Sequence, residues 1–286
     1  MRISVVIPTC HRPDLLARCL RGLVTNEAEI IVGDDSRDDA TRDFVSREFP
    51  QVHWVPGPHR GPAANRNSGA RAATGDWLAF VDDDCEPQPN WLAALVQAGG
   101  DADVVEGRVV APGATDSPFE EHVENLHGDL LWSCNLAVRR DVFERLGGFD
   151  EDFLEAGGED MEFAWRVARA GLRVRFAPDA LVHHPPRRID WSGLWRRTWM
   201  IRWMSLFRLK TGQARSLPAA LVDEIKLLLR QTAQLVTRRD LPWPRRRCFA
   251  AWWRWLTFPL VLPYILYWDW RFGRECPGPV RRDGTP

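Results

Sequence analysis

Four short apolar runs, at residues 3–7, 29–33, 52–55 and 77–81, recur at spacings that leave room for a helix between each pair. Each run ends in a turn or an acidic cluster. That alternation of strand and helix predicts an α/β fold, a mostly parallel central sheet flanked by helices, with a binding crevice at the carboxyl ends of the strands. Helices are expected over residues 13–22, 38–48 and 61–73, the first with proline near its start and Gly22 as its stop. Further along, 91–98, 140–147 and 159–170 read as helices, the last stopped by Gly171, and 104–110, 135–139 and 179–182 as strands.

The strand ends carry the chemistry. Pro8 and Thr9 follow the first run, Asp34, Asp35 and Ser36 the second, and Asp82, Asp83 and Asp84 the fourth. Three consecutive carboxylates repel one another, so they call for a compensating cation or ligand. On an extended backbone Asp82 and Asp84 share one face and Asp83 takes the other. Hard oxygen ligands in this number suit Mn2+ or Mg2+, which keep waters and accept further ligands from substrate phosphates. The Asp34–Asp35 pair can accept hydrogen bonds from a base or ribose, although an Asp or Ser here also serves as a cap for the helix that follows. Arg66, in a stretch of small residues, either meets a diphosphate or is simply solvated. Glu159 and Asp160 open a predicted helix, whose N-terminal dipole favours a carboxylate.

These pieces stand in the order and spacing of a known family. The segment from Ile3 to Thr9, Asp34-Asp35-Ser36, the Asp82-Asp83-Asp84 run, and Gly147-Gly148-Phe149-Asp150 followed by Gly158-Glu159-Asp160 resemble the family-2 glycosyltransferases of GT-A fold. The resemblance spans roughly residues 3 to 185. It implies a Rossmann-like nucleotide-sugar-binding fold and an inverting transfer from a nucleotide-diphosphate sugar, UDP-sugar favoured, to a hydroxyl of a glycan or lipid-linked acceptor. Carried over residue by residue, it implies that Pro8, Thr9, Arg12, Asp35, Arg66, Asp82 and Asp83 line the donor site. Asp84 would bind the metal, with His184 favoured over His183 as a second ligand, and Asp160 would be the catalytic base. Trp132, Asn135 and Glu159 fall where the family contacts sugar or acceptor.

The rear of the chain has a different character. Residues 187–286 hold 20 Lys/Arg against 7 Asp/Glu, whereas the whole chain is nearly neutral at -1. An acidic front half suits a site that holds a cation, and a basic, Trp-rich rear half suits an anionic surface. We therefore expect a catalytic domain over 1–187 and a helical region over 188–286. Trp191, Trp195, Trp199, Trp203 and Phe207 recur every four residues and would form one stripe on a helix, packed on protein or lying in a membrane interface. Residues 249–268 are more apolar, yet Arg254, Pro259 and Pro263 interrupt them, so a shallow or re-entrant insertion is expected rather than a full span. With scattered cysteines that read as reduced thiols and no signal-peptide pattern at the start, the expected location is the cytoplasm, at the inner face of the plasma membrane. Pairing with a second copy through the Trp-rich tail is also compatible with the sequence.

Three rival functions are weaker. A dinucleotide-dependent oxidoreductase would need a G-x-G-x-x-G turn after the first strand, where Pro8-Thr9-Cys10-His11 stands instead. A catalytically inactive sugar-nucleotide-binding scaffold at the membrane would have no need to keep Asp82, Asp84 and Asp160 together. No docking motif accompanies the basic half, so a nucleic-acid partner is not expected.

Overall fold

The computed structural model describes residues 2–23, 28–213 and 244–275, with a few positions between 222 and 233. In chain order the elements are β1 (Ile3–Thr9), α1 (Pro13–Leu23), β2 (Glu29–Asp34), α2 (Ala40–Glu48), β3 (His53–Pro56), α3 (Pro62–Ala72), β4 (Trp77–Phe80), β5 (Glu86–Pro87) and α4 (Trp91–Gly99). Then come β6 (Val104–Val110), β7 (Glu120–Glu121), β8 (Leu136–Arg139), α5 (Arg140–Leu146), α6 (Glu159–Arg169), β9 (Val174–His183) and β10 (Arg187–Arg188). The last described helices are α7 (Trp191–Trp199), α8 (Arg202–Lys210) and α9 (Pro244–Glu275).

An eight-stranded sheet runs in the order β3-β2-β1-β4-β8-β6-β9-β5. Strands β3, β2, β1 and β4 are parallel, β8 runs antiparallel between β4 and β6, and β6 and β9 are again parallel. Period-2 alternation sorts the strand residues between two cores. Ile3, Val5 and Ile7 of β1 pack with α1, α2 and α4, including Leu16, Leu20, Val45, Trp91 and Leu95. Val6, with Ile31, Leu78 and Phe80, packs on the other face with α3, α5 and α6. Helix α3 lies close on the sheet because it is built from small residues: a Cβ added at Gly69 would stand 2.6 Å from Val6 Cγ1. That close seat turns three consecutive polar residues of α3 inward, and Asn65, Arg66 and Asn67 are all buried.

The strand expected at 179–182 starts five residues earlier in the structure. The ladder takes in Pro178 through an irregularity. Ala177 pairs with Gly107 and Leu181 with Arg108, so the intervening residues bulge out and pairing resumes through His183.

The chain divides into two compact units, one of residues 1–113 and 122–185, the other of 114–121 and 186–286. In the second, β7 and β10 form a two-stranded antiparallel ribbon. The aromatic stripe of residues 191–207 lies on two helices rather than one, since Met200 and Ile201 separate α7 from α8. The stripe also has a partner on α9. Trp195 meets Trp253 with ring centroids 5.2 Å apart, and Trp199 meets Tyr264 at 4.7 Å. Residues 249–268 belong to one helix with Pro259 and Pro263 in its interior. The two prolines are four apart and both exposed. Among the described residues, no helix is long and apolar enough to cross a membrane.

Candidate active site

Each acidic cluster lies just beyond a parallel strand. Beyond β4, residues 82–84 form a turn rather than continuing the strand, and the three carboxylates go to different partners. Asp82 Oδ1 accepts from Arg66 Nη2 at 2.6 Å. Asp83 is 4% exposed and accepts from Thr9 Oγ1 at 2.7 Å and from Arg12 Nη1 at 3.3 Å. Burial pushes Asp83 up to about 6, against the pull of Arg12 and the Thr9 hydroxyl. Asp84 lies 3.5 Å from Arg12 Nη1 and 3.5 Å from His184 Nε2. Of the three, Asp83 is therefore the strut. It ties β4 to β1, while Asp82 and Asp84 stay partly exposed.

His184 arrives there through strand register. Glu86 of β5 pairs with His183 of β9, and the His184 N–H donates to the Val110 carbonyl at 2.8 Å, which fixes the residue beside the acidic turn. Asp84 and His184 fit a hard divalent cation. Their facing donor atoms are 3.5 Å apart, close to the roughly 3 Å that separates adjacent ligands of an octahedral ion bound at about 2.1 Å. His184 Nδ1 is buried with no hydrogen-bond partner. The Cys85 sulfur lies within 4.8 Å of both. Burial, with the Cys134 thiol beside it, pushes Cys85 well above the usual thiol range, so it stays neutral and is a poor ligand for such an ion.

Pro8 and Thr9 are buried at the end of β1. Asp34 is buried as well and accepts from the Ser36 N–H at 2.9 Å and from Trp54 Nε1 at 3.1 Å. Asp35 accepts from the backbone N–H groups of His59 at 2.8 Å and Gly61 at 3.0 Å, stapling the loop that leads into α3. Just before α2, Asp38 accepts from the Ala40 N–H at 3.1 Å, while the N-cap residue, Asp39, makes no side-chain cap hydrogen bond.

Arg66 is the hub. Only 5% of its side chain is exposed, and it bridges Asp82 to Glu159, which lies 3.4 Å from Nη1. The solvated alternative for this arginine is thus overturned, because the small residues around it seat α3 deep in the fold. Glu159 is also buried and accepts from the Gly157 N–H at 2.7 Å. It holds the entrance of α6 in place. Asp160 comes next, at the second helical position after Gly158 (φ 139°). Burial, reinforced by the Glu159 carboxylate, pushes Asp160 up to about 7, opposed by Arg66 and the nearby Ser133 hydroxyl. Asp160 is partly exposed, yet its Oδ1 is buried with no hydrogen-bond partner. A carboxyl in that state holds or takes a proton near neutral pH.

The expected sugar-side residues separate. Trp132 is partly buried against the core. Asn135 is a correction: it is 1% exposed, accepts from Trp91 Nε1 at 2.8 Å, and donates to the carbonyls of Arg108 at 2.9 Å and Ala180 at 2.8 Å. Its amide is used up bracing the sheet.

The sequence reading missed other residues that shape the site. Asn65 Nδ2 donates to the carbonyls of Gly33 at 2.9 Å and Thr9 at 3.2 Å, joining the ends of β1 and β2. Asn67 clasps Phe149 through both backbone groups, at 2.8 and 2.9 Å. Phe149 in turn packs on Phe163 of α6, 4.9 Å between centroids. Glu106, buried on β6, accepts from Asn125 Nδ2 and from the backbone N–H groups of Asp129, Leu130 and Leu131. The signal for Asn65 and Asn67 was their place in an otherwise small-residue helix. Glu106, in an apolar strand, gave none of its partners away.

The glycosyl transferase family 2 model matches residues 4–132, and the model described as the N-terminal domain of galactosyltransferase matches residues 118–185. Over its front part, residues 4–132, the chain thus resembles glycosyltransferase family 2. The family's GT-A fold recurs in solved structures. A mannosyltransferase from Pyrobaculum calidifontis, in complex with GDP-Man and Mn2+, aligns with a TM-score of 0.57 and 20% identity over 96% of this chain and 88% of that one. GalNAc-T7, with UDP, GalNAc and Mn2+, aligns with a TM-score of 0.53 and 18% identity over 73% of this chain and 50% of that one. Among characterised sequences, the pre-mycofactocin glycosyltransferase of Mycobacterium tuberculosis is 32% identical over 208 residues, covering 65% of this chain. The match spans less than half of that relative, 43% of its length.

Proposed function

We propose that this chain transfers a sugar, with inversion, from a nucleotide-diphosphate donor to an acceptor hydroxyl, with Asp160 as the base. The observation that carries this reading is the line of side chains from Asp160 and Glu159 through Arg66 to Asp82, next to the Asp84 and His184 pair. In this reading the Asp160 carboxyl, pushed up to about 7 by burial, and the cation held by Asp84 and His184 would belong to one cluster. The match to the family-2 model supports glycosyl transfer, and Mn2+ in two proteins of the same fold supports a divalent ion at Asp84 and His184.

Pro8, Thr9 and Asp35 would bind the nucleoside from the ends of β1 and β2, and Asp82 the ribose or diphosphate. Arg12 and Arg66 offset the charge of the acidic turn, and Asp83 holds its shape. Mn2+ or Mg2+ at Asp84 and His184 would neutralise charge on the departing diphosphate. Asp160 accepts the proton of the acceptor hydroxyl as that oxygen attacks the anomeric carbon, and the nucleotide diphosphate leaves from the opposite face in a single displacement. UDP-sugars are the donors to try first, since one relative of this fold was solved with UDP.

The acceptor in this reading is a lipid-linked or cell-envelope glycan, reached from a membrane surface by the second unit. Its support is α9, which turns six large apolar side chains outward in a strongly basic region. The test is nucleotide diphosphate release across a panel of sugar nucleotides, with Mn2+, Mg2+ or EDTA. Release from one donor, abolished by EDTA and by Asp160→Asn, is the expected result. No release and no metal-dependent nucleotide binding across the panel would end this reading.

A further inference from the structure

Within the second unit, α7 and α9 border a groove of about 390 Å3. Along α9 its wall runs from Ala250 to Ile265, about 22 Å at 1.5 Å per residue. Leu194 of α7, with Ile201 just beyond that helix, lies on the other side. The groove is therefore elongated, and its wall is apolar even where hydroxyls occur. Thr257 Oγ1 donates to the Trp253 carbonyl at 2.8 Å. Thr198 Oγ1 donates to the Leu194 carbonyl at 3.0 Å and accepts from Trp253 Nε1 at 2.9 Å. Both hydroxyl protons are spent inside their own helices, so a polar molecule would lose hydration here for little return.

Positive charge accompanies this wall. Arg197 and Arg254 line the groove, and Arg197 keeps 42% of its side chain exposed although its Nε meets Glu121 at 3.4 Å. At the start of α7 a second cavity of about 540 Å3 is bordered by Arg187, Arg188 and Arg196 together with Asp190, and Arg187 shares the Glu121 carboxylate with Arg197, so the arginines still outnumber the acids. Guanidinium groups beside a hydrocarbon-lined channel match an amphiphile with a phosphate head. The groove also belongs to the helix that exposes Trp252, Trp255, Leu256, Leu260, Tyr267 and Trp270, each 46–55% accessible, a face suited to the headgroup and acyl boundary of a bilayer.

We propose that this groove binds one long hydrocarbon chain bearing a phosphate head, drawn from an anionic lipid surface. The site lies wholly in the second unit and stands apart from the transfer chemistry proposed for the first. The probe is dodecyl phosphate below its micelle concentration, titrated calorimetrically into the full chain beside inorganic phosphate and dodecyl maltoside. Saturable binding is expected for dodecyl phosphate alone, at least tenfold weaker in Leu262→Trp, which fills the channel, and several-fold weaker in Arg197→Ala. Ala250→Trp obstructs the exposed end of the channel and serves if Leu262→Trp lowers the melting temperature. Dodecyl phosphate binding no better than inorganic phosphate, or as tightly to both Trp variants as to the parent, would overturn the proposal; equal affinity for the maltoside would overturn the assigned head. Donor cleavage measured in the same samples separates these outcomes from failure of the transferase reading.

Discussion

His184 Nε2 lies 3.5 Å from Asp84 Oδ1, although one hundred positions separate the two in the sequence. The pairing of β5 with β9 sets that distance, because Glu86 and His183, each one or two residues away, are partners across the ladder. The proposed ion site is thus a product of strand register, and a shift by one residue would turn His184 to the opposite side.

Removing either side chain should therefore weaken the ion before it disturbs the fold. For His184→Ala we expect the Mn2+ concentration that supports half-maximal donor cleavage to rise by about 10- to 100-fold, the scale on which metal sites respond to loss of a supporting group. Excess Mn2+ should recover part of the rate. A metal titration of donor cleavage makes the comparison, and an unchanged midpoint would remove His184 from the ligand set.

Asp160 gives the transfer a pH signature. A base must be unprotonated to act, so kcat/KM should fall as pH drops through about 7, the value to which burial raises this carboxyl. Asp160→Asn should lower the rate by about 100- to 10,000-fold at every pH, the usual worth of a positioned base. Nucleotide binding should persist. Rate measurements from pH 5 to 9 decide the matter, and a profile flat across this range would assign the base elsewhere.

The same substitution should affect stability in the opposite direction. A carboxyl whose folded value stands above its unfolded one, near 3.9, favours folding only while protonated; that contribution is complete at low pH and is lost as pH rises through about 7. Asparagine keeps the shape without the charge. Asp160→Asn should melt a few degrees above the parent at pH 8, with the gap closing toward pH 4. Thermal unfolding followed at both pH values tests the sign.

Arg66→Met removes the cation between Asp82 and Glu159 and leaves the buried Glu159 carboxylate uncompensated. Breaking a buried pair from one side costs about 3–5 kcal/mol, so we expect a large loss of stability together with loss of donor cleavage. Denaturant unfolding gives the first, and Glu159→Gln in the Arg66→Met background should restore part of it.

Glu106→Ala strips the common acceptor from four donors on the segment that includes Asn125 and residues 129–131. Each buried donor left unmet costs about 1–3 kcal/mol. Faster amide hydrogen exchange at 129–131 is expected, with little change in β1 and β2.

What could be read from the sequence was what repeats or clusters. The apolar runs marked β1, β2, β3 and β4 and their parallel sense, and the acidic clusters fall at the ends of β2 and β4. What could not be read depends on partners far along the chain. Arg66 looks like a surface arginine until Gly69 and its small neighbours are seen to seat α3 on Val6. Asn135 looks like a sugar ligand until Trp91 and the carbonyls of Arg108 and Ala180 are found around it. The strand read at 179–182 is only the end of β9, and the bulge opposite Gly107 shows how the ladder runs on from Val174 through Pro178. The Trp stripe was visible as a pattern, but its partner, the Trp253 and Tyr264 face of α9, lies some sixty residues downstream.

The ribbon of β7 and β10 has a consequence for how such chains can be recombined. The polypeptide leaves the first unit after Gly113, pairs Glu120 and Glu121 with Arg188 and Arg187, re-enters at His122, and leaves again after Pro185. Phe119 on that excursion sits in a ring cluster with Trp191 and Phe249, 4.9 and 5.6 Å away. A crossover at residue 186 that exchanged only the tail would thus inherit a foreign segment at 114–121, lacking its ribbon partner and its aromatic socket. Tail and excursion have to be exchanged as a pair, although more than sixty residues of the first unit lie between them.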